Sequence, residues 1–514
     1  MRAVENAWSV EAYDNYRNVS QSTQVAWKKA YNASYRPFTI GVSLIGAGDG
    51  IASEGAITSD WNNYDYQNET EYVVAVEYER RLNMPLGGLS TAIANVELDN
   101  TTGRYTPRIA GGSGELFTAQ LPRRPIIINA GFDYSGINNQ IPQFVGLTTK
   151  TPEYSRRSAV VKLEANDFIG YLQNKYIDQT SMYTAQRSDQ IIETLLTDLG
   201  FATAQYELDT GINIIPFAMF EKGTRFSDAI HQIAQAENAH VFQDEEGIIR
   251  FENRQHWDNF PYTEVQRVLP TSMVIDAEVV GEDHIINVVE VESDVREKQP
   301  AQPIWQLSSA IEIAAGSTQE IFVSFEDPIL EAYQPSGYVA NSSSSGGGTD
   351  LSSSVSIQVF DAFAQAAKIR FYNSSASTAY VTSLIIYGRP AKVTSQVYYR
   401  EQRDLSVTAY EERPIKISNP YIQNKSWAQS YAGLILNDYA NGENLQNIKI
   451  RALPELQFGD LVSWQGKYWR VYGIRTVVSS SEGFIQELNL LQRDLITYFR
   501  IGISSIGSTD QIAP

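Results

Sequence analysis

The stretch FTIGVSLIGAGDGIASEG, residues 38 to 55, holds the residue types that could cradle a phosphate. An apolar run from Phe38 to Ile45 leads into Gly46, Gly48 and Gly50. A dinucleotide-binding turn begins this way, with a strand and then glycines that let a pyrophosphate approach the backbone. The fingerprint G-x-G-x-x-G next needs a glycine at position 51, where Ile51 stands. It also needs a long amphipathic helix whose N-terminus holds the phosphate. The following residues, IASEGAITSDWNNYDYQ, are interrupted early by Gly55 and show no 3.6-residue period. The stretch is therefore read as a turn or loop, with no nucleotide cofactor.

Other chemistry is equally thin. The histidines are His231, His240, His256 and His284, and no H-E-x-x-H occurs. His231 and His240, nine residues apart on and just after one helical pattern, do not come together on a metal. GGSGE at 111 to 115 lacks the spacing of a nucleophile elbow. LDNTTGRYTP, residues 98 to 107, offers Asp99 and Asn100 ahead of Gly103, but an EF-hand loop wants a carboxylate where Ala110 stands. A strand-ending turn with Gly103 at positive φ is the better reading. The acid pairs in FQDEEG and SFEDP are read as solvated turns. Glycosidase carboxylates meet only in space, and nothing in the sequence marks such a pair. No catalytic, cofactor-binding or metal-ligating residue is assigned.

Bulk properties narrow the class. At 514 residues the chain has room for roughly three or four domains. Cysteine is absent, which excludes disulfides, thiolate zinc sites and cysteine nucleophiles and fits assembly in a cytosol. No apolar run reaches the length of a membrane span, and MRAVENAWSVEAYDNYRN holds no apolar signal region. Triplets such as Asn18-Val19-Ser20 carry little weight without a secretion signal. Forty basic against sixty acidic residues give a net charge of −20, a surface that repels nucleic acid. Thirty tyrosines fit half-buried strands and subunit contacts.

The elements that would position any site are mostly strands. EYVVAVEYERR (71–81) alternates, with Tyr72, Val74, Val76 and Tyr78 on one face and Glu77 and Glu79 on the other. TAIANVELDN groups Ala92, Ala94, Val96 and Leu98. RPIIINAGF, PQFVGLTT and SAVVKLEAND continue a sheet or small barrel. SDQIIETLLTDLG (188–200) then puts Ile191, Ile192, Leu195, Leu196 and Leu199 on a helical face, with Ser188 to cap it and Gly200 to end it. TRFSDAIHQIAQAENA (224–239) repeats the pattern with Phe226, Ile230, Ile233 and Ala234, before a hairpin that turns at Glu246-Gly247. Residues 296 to 395 show no helical period and carry the Ser/Gly tract NSSSSGGGTDLSSS, which marks an all-β module with a long loop. KSWAQSYAGLILNDYANG predicts a last helix, with Trp427, Tyr431, Leu434, Ile435 and Tyr439 on one face. Hairpins turning at Gln465-Gly466 and Glu482-Gly483 follow.

Four of these blocks, in this order, resemble the bacteriophage tail hub (baseplate hub) family of the long-tailed phage tail-tip type. They are ANVELDNTTGRYTP with GELFTAQLPRRPIII; QIPQFVGLTTKTPEYSRRSAVVKLEANDFIGYL, with Gly146 and the Asn166-Asp167 corner; SDAIHQIAQAENAHVFQDEEGIIRFENRQ; and ISNPYIQNKSWAQSYAGLILNDY with LPELQFGDLVSW and YWRVYGIRTV, where Gly459-Asp460 starts the last barrel strands. The blocks cover most of residues 65 to 295 and 398 to 495. The resemblance implies a mainly β fold with α+β parts: two barrel-like hub domains alternating around a pseudo-sixfold ring, a small α+β domain and an inserted β-sandwich-like module. It gives an N-terminal extension at 1–37, a first hub barrel at 38–175, the α+β domain at 176–265 and a second barrel with helix at 266–295 and 396–495. The inserted module is 296–395 and a C-terminal tail 496–514.

The same resemblance implies a homotrimeric, non-enzymatic hub that closes the distal end of a tail tube in the virion. It is assembled in the host cytoplasm and takes part in host attachment and genome ejection. Its implied partners are other copies of itself, the distal tail or tail tube protein, the tape measure protein, and central fibre or receptor-binding proteins, with no stable nucleic-acid binding. An acidic wall would let DNA slide without sticking. No lysozyme or peptidase domain of the kind fused to some tail-tip proteins is visible. The alternatives are a glycan- or receptor-binding surface protein and a tail-associated hydrolase.

Overall fold

The structure, a computed structural model, describes residues 38–41, 66–67 and 69–493, apart from 107–111, 113–121, 135–136, 151–158, 179, 280–283 and 441–444. The glycines 46, 48 and 50, most of GGSGE, the N-terminal extension and the C-terminal tail lie outside these residues. The chain is mainly β: its described elements are twenty-nine strands and five α-helices, with a few 3-10 turns.

Alternation builds the first half. Strands Val73–Arg81, Ile93–Asp99 and Val160–Asn166 pair antiparallel, with Val96 opposite both Val76 and Leu163. Their inward residues Val73, Val76, Tyr78, Ala94, Val96, Leu98, Val161, Leu163 and Ala165 close over one apolar cluster. One expectation fails locally. Val74, grouped by sequence with Val76 and Tyr78, is exposed, because the register shifts between Val73 and Ala75. A bulge of this kind turns the next side chain to the other face. The strands Pro125–Tyr134 and Ile137–Thr148 extend the same sheet, followed by Phe38–Gly41 and Tyr66–Gln67.

The second half is built from Val274–Val279, Leu445–Arg451, Leu461–Trp464, Lys467–Ser479 and Gly483–Arg493, with Val265–Val268 alongside Leu461–Trp464. Its turns are as read: Gln465 and Gly466 both take positive φ, as does Gly483. The two halves share hydrogen bonds. Lys467–Ser479 pairs with Val73–Arg81 from Gly473↔Arg81 to Ser479↔Ala75, so both belong to one thirteen-stranded sheet.

Five helices decorate this frame. They are α1 (Phe168–Leu172), α2 (Ser188–Asp198), α3 (Phe226–Glu237), α4 (Asp404–Tyr410) and α5 (Lys425–Tyr439). The predicted face of α3 is buried, and so are Ile191, Ile192, Leu195 and Leu196 of α2, while Leu199, just past the helix end, is partly buried. Ser188 has a different role from the one expected. The N-cap residue of α2 is Arg187, and the Ser188 hydroxyl donates to Glu237 at the end of α3, at 2.6 Å. In α5 the buried face is Ala428, Tyr431, Ala432, Ile435, Leu436 and Tyr439, which leaves Leu434 partly exposed.

Strand Val288–Lys298 pairs antiparallel with the twenty-four-residue strand Ala379–Gln402 and parallel with Pro414–Ser418. Most of the length of these two long strands between residues 296 and 395 is expected in the inserted module, and the parts up to residue 295 and from residue 396 inside the second barrel. They form instead a separate sheet, on which α5 packs through a core that includes Val289, Val291, Tyr431 and Ile435. The far end of Ala379–Gln402 becomes the spine of a sandwich, flanked by Gln302–Gln306, Ile311–Ile313, Ile329–Ala332 and Tyr338–Asn341. A three-stranded sheet of Thr318–Ser324, Ala366–Asn373 and Val355–Ala362 faces it. Between the two lies a cluster of its own, with Ile313, Val323, Ile357, Ile369, Phe371, Val381 and Ile386.

Candidate assembly face and buried junction

The outward side of the continuous sheet is a ladder of charge that crosses both halves. Register aligns Asp276, Lys449, Glu487, Arg475 and Glu79 on neighbouring strands. Arg475 donates to Glu487 at 2.7 Å and to Glu77 at 2.8 Å. These two carboxylates hold its guanidinium above the usual arginine range. Lys449 meets Glu482 at 3.3 Å; further along, Lys162 pairs with Glu97 and Lys150 with Glu164. Such exposed pairs add little stability each, but acids outnumber bases along the row, so the face is negative.

The inner side of the same region is a buried polar junction. Arg80, from the first half, meets Glu245, from the α+β hairpin, at 2.9 Å. The Arg80 guanidinium lies over Phe458, a residue from the second half. Glu245 was expected on a solvated turn and is buried instead; its neighbour Glu246 is exposed. Asp244 shapes the turn, its carboxylate accepting the Glu246 and Ile248 amides and the Arg250 guanidinium. Close by, His240 stacks on Trp257 with ring centroids 5.3 Å apart. Burial drives its imidazole down to about 4, so the ring is neutral near pH 7. The Trp257 indole donates to Glu252 and sits against Gly459, where a Cβ would fall 2.4 Å from it. Gly459 carries φ +80, so glycine is required there twice over. Arg470 donates to the carbonyls of Gly459 and Tyr262.

The remaining residues singled out from sequence take structural roles. The Nδ1 of His231 accepts the Leu89 amide at 3.1 Å, and the ring lies under Gly88. His256 bridges Asp209, 2.7 Å from Nδ1, and Glu252, 3.2 Å from Nε2. His284 is exposed. The structure gathers Trp257, on which His240 stacks, and His256, which lies against Tyr262, around Glu252, while His231 sits on α3. In LDNTTGRYTP, the Asp99 carboxylate accepts the Thr101 amide, Asn100 bonds Thr106 and Tyr105, and Gly103 has φ +71. That is a turn, tied down by Arg104 and Tyr105 on the fully buried Glu69. Gly146 and the Asn166-Asp167 corner touch: a Cβ on Gly146 would fall 2.4 Å from the Asn166 carbonyl. Asp167 caps α1 by accepting the Gly170 amide and also holds the Ala92 amide. Burial pushes its carboxyl up to about 7, against the pull of these donors.

Among the described residues, no group of three or more histidine, cysteine, aspartate or glutamate side chains is arranged to hold a metal. No helix there is long and apolar enough to cross a membrane.

No protein-family model matches the chain, and no curated protein matches it. Among solved structures it is similar to a tail protein from Neisseria meningitidis MC58, at 9% identity and a TM-score of 0.46, with 84% of this chain and 94% of that one covered. The 43 kDa tail protein of prophage MuSo2 from Shewanella oneidensis gives 9% identity and a TM-score of 0.44, over 83% of this chain and 95% of that one. A prophage tail protein from Listeria monocytogenes EGD-e gives 11% identity and a TM-score of 0.37, over 84% and 92%. An E. coli component of the type VI secretion system is similar too, at 10% identity and a TM-score of 0.38, over 82% of this chain and 74% of that one.

Proposed function

We propose that the chain is a structural hub of a phage tail tip, three copies of which form a ring that closes the distal end of the tail tube. The observation that carries this reading is the pairing of Val73–Arg81 with Lys467–Ser479, which sets two strand-built halves side by side in one sheet. A chain that offers two such halves supplies two of six positions around a tube, so three chains complete the turn. The acid-rich ladder across both halves suits a wall past which DNA moves without being held. The partners on this reading are other copies of the chain, the distal tail or tail tube protein, the tape measure protein, and central fibre or receptor-binding proteins.

The role is architectural rather than enzymatic. His240, His256 and the buried carboxylates at the junction are committed to ring stacking and ion pairs that hold elements together, and His231, on α3, to the Leu89 amide. Light scattering on the purified protein, together with the copy number at this level of an imaged virion, tests the proposal. Trimers and three copies are expected. Stable monomer at high concentration with six copies per virion overturns it.

A further inference from the structure

The outer face of the three-stranded sheet in the inserted sandwich is unlike the ionic ladder of the main sheet. Its inward residues Val323, Ile357, Val359, Ala367, Ile369 and Phe371 are buried. Register then fixes what points outward. Thr318 and Ser356 flank Tyr372, Glu320 and Gln358 flank Arg370, and Phe322 stands opposite Lys368. On the other side of Lys368 the register shifts between Val359 and Asp361, so that Phe360, outward by alternation and beside both cations, is followed by Asp361 on the same face, opposite Lys368. Phe322 is 62% exposed and Tyr372 44% exposed. Tyr372 lies four residues beyond Lys368 on one strand, which places the two ends of the platform about 14 Å apart. That span accommodates more than one sugar ring.

The charges of this face are already neutralised within it. Arg370 bonds Glu320 at 2.8 Å and Lys368 meets Asp361 at 3.2 Å. Lys368 also sits over Phe322 and Phe360, and Arg370 over Phe360, which holds these long side chains flat against the aromatics. The result is a surface that carries two exposed rings, Phe322 and Tyr372, with guanidinium, amide and carboxylate groups between them and no net charge among its paired residues. An anionic ligand would find no unbalanced cation there. A protein partner is disfavoured too, because hot spots need a contiguous core that is fully desolvated, and here ion pairs separate the aromatics. A neutral oligosaccharide matches: its C–H faces stack on aromatic rings, while its hydroxyls both donate to Glu320 and accept from Gln358 and Arg370.

We propose that this face, centred on Phe322, Phe360, Lys368, Arg370 and Tyr372, binds a neutral glycan. The inference is separate from the hub reading, since a monomer could carry the same face. In the test, full-length protein is applied to an array of neutral oligosaccharides and of sialylated and phosphorylated ones. Phe322→Ala and Tyr372→Ala are compared with it. Both side chains lie on the outer face and outside the buried cluster, so thermal unfolding of the variants should stay close to the parent. Binding to at least one neutral saccharide is expected, with a loss of tenfold or more in each variant. Binding confined to anionic saccharides, no binding at all, or equal binding by parent and variants overturns the proposal. So does a concentration-dependent self-association that Phe322→Ala abolishes, which would make this face a contact between copies.

Discussion

Arg80 and Glu245 form an ion pair at 2.9 Å whose side chains are only 3% and 10% exposed, across the seam between the first sheet half and the α+β hairpin. A buried pair is weak evidence of net stabilisation, because desolvation offsets the attraction. Its removal by halves is a different matter. Arg80 also covers Phe458 of the second half, so three parts of the chain meet at one guanidinium.

Glu245→Ala should therefore destabilise the protein by about 3–5 kcal/mol, because it strands a buried cation. Glu245→Ala combined with Arg80→Met should recover much of that loss. Urea unfolding followed by both fluorescence and circular dichroism checks this. If the single variant unfolds with the parent, the pair is no tie.

Two glycines separate conformational from steric demand. Gly459 and Gly483 have nearly the same φ, +80 and +82. A Cβ at Gly483 meets nothing within 4 Å, whereas one at Gly459 would overlap the Trp257 indole. Gly483→Ala should cost about 1–2 kcal/mol, the ordinary penalty of a left-handed residue. Gly459→Ala should cost clearly more, since the indole is also bonded to Glu252 and stacked on His240. Equal shifts in the unfolding midpoint would contradict the crowding at Trp257.

The pH dependence of stability should carry opposed signals from His240 and Asp167. The His240 imidazole is driven from 6.5 to about 4 in the fold, so the unfolded chain binds the extra proton. Its contribution is complete above pH 6.5 and is lost as pH falls toward 4. Asp167 runs the other way: its carboxyl rises from 3.8 to about 7, so the stability linked to it is complete below 3.8 and lost as pH rises through 7. His240→Phe keeps a flat ring on Trp257 and removes the first signal. The difference in unfolding free energy between parent and variant should change between pH 7.5 and pH 4, on the order of 3 kcal/mol, with the variant gaining relative stability in acid. A difference that stays constant with pH would refute the buried neutral histidine.

Local pattern carried much of this fold, and its failures have physical causes. Ala92, Ala94, Val96 and Leu98 alternate and are buried; the i, i+3, i+4 apolar set of α3 is buried as well. These features depend on neighbours a few residues away. Val74 is exposed because a bulge against Leu98 and Glu97 shifts the register, and only the partner strand reveals it. Glu245 and Ser188 looked like surface turn and cap residues until Arg80 and Glu237 supplied distant partners. The Val73–Arg81 to Lys467–Ser479 pairing joins residues about four hundred positions apart, and strand periodicity says nothing about which edge meets which. The aromatic face of the insert was hidden likewise: Phe322, Phe360 and Tyr372 come from three strands, and only pairing puts them on one surface.

The inserted sandwich should be removable, and the pairing of its two tethers shows where to cut. Lys298 lies opposite Ala391 at the end of the long antiparallel ribbon. Joining them by Asn-Gly replaces residues 299 to 390 with a two-residue hairpin turn, the connection that suits the twist of paired strands. Every member of the sandwich's own apolar cluster, from Ile304 to Ile386, falls inside the excised stretch. None belongs to the two other clusters, so the cut uncovers no half of a core. A cut at Ser293 and Ser395 would be worse, because it removes ribbon pairs such as Asp294↔Gln396 and Val295, which packs on the main core. The contacts that would be lost include the Ala364 amide on the Thr180 carbonyl at 2.8 Å, the Ala391 amide on the Pro328 carbonyl at 2.7 Å and the Lys392–Asp327 ion pair at 2.8 Å; water can replace them where the cut opens these groups to solvent. The shortened chain should stay soluble, keep the oligomeric state of the parent by light scattering, and lose glycan binding. If it aggregates, or changes its oligomeric state, the sandwich is part of the assembly contact, and its independence of the hub halves is refuted.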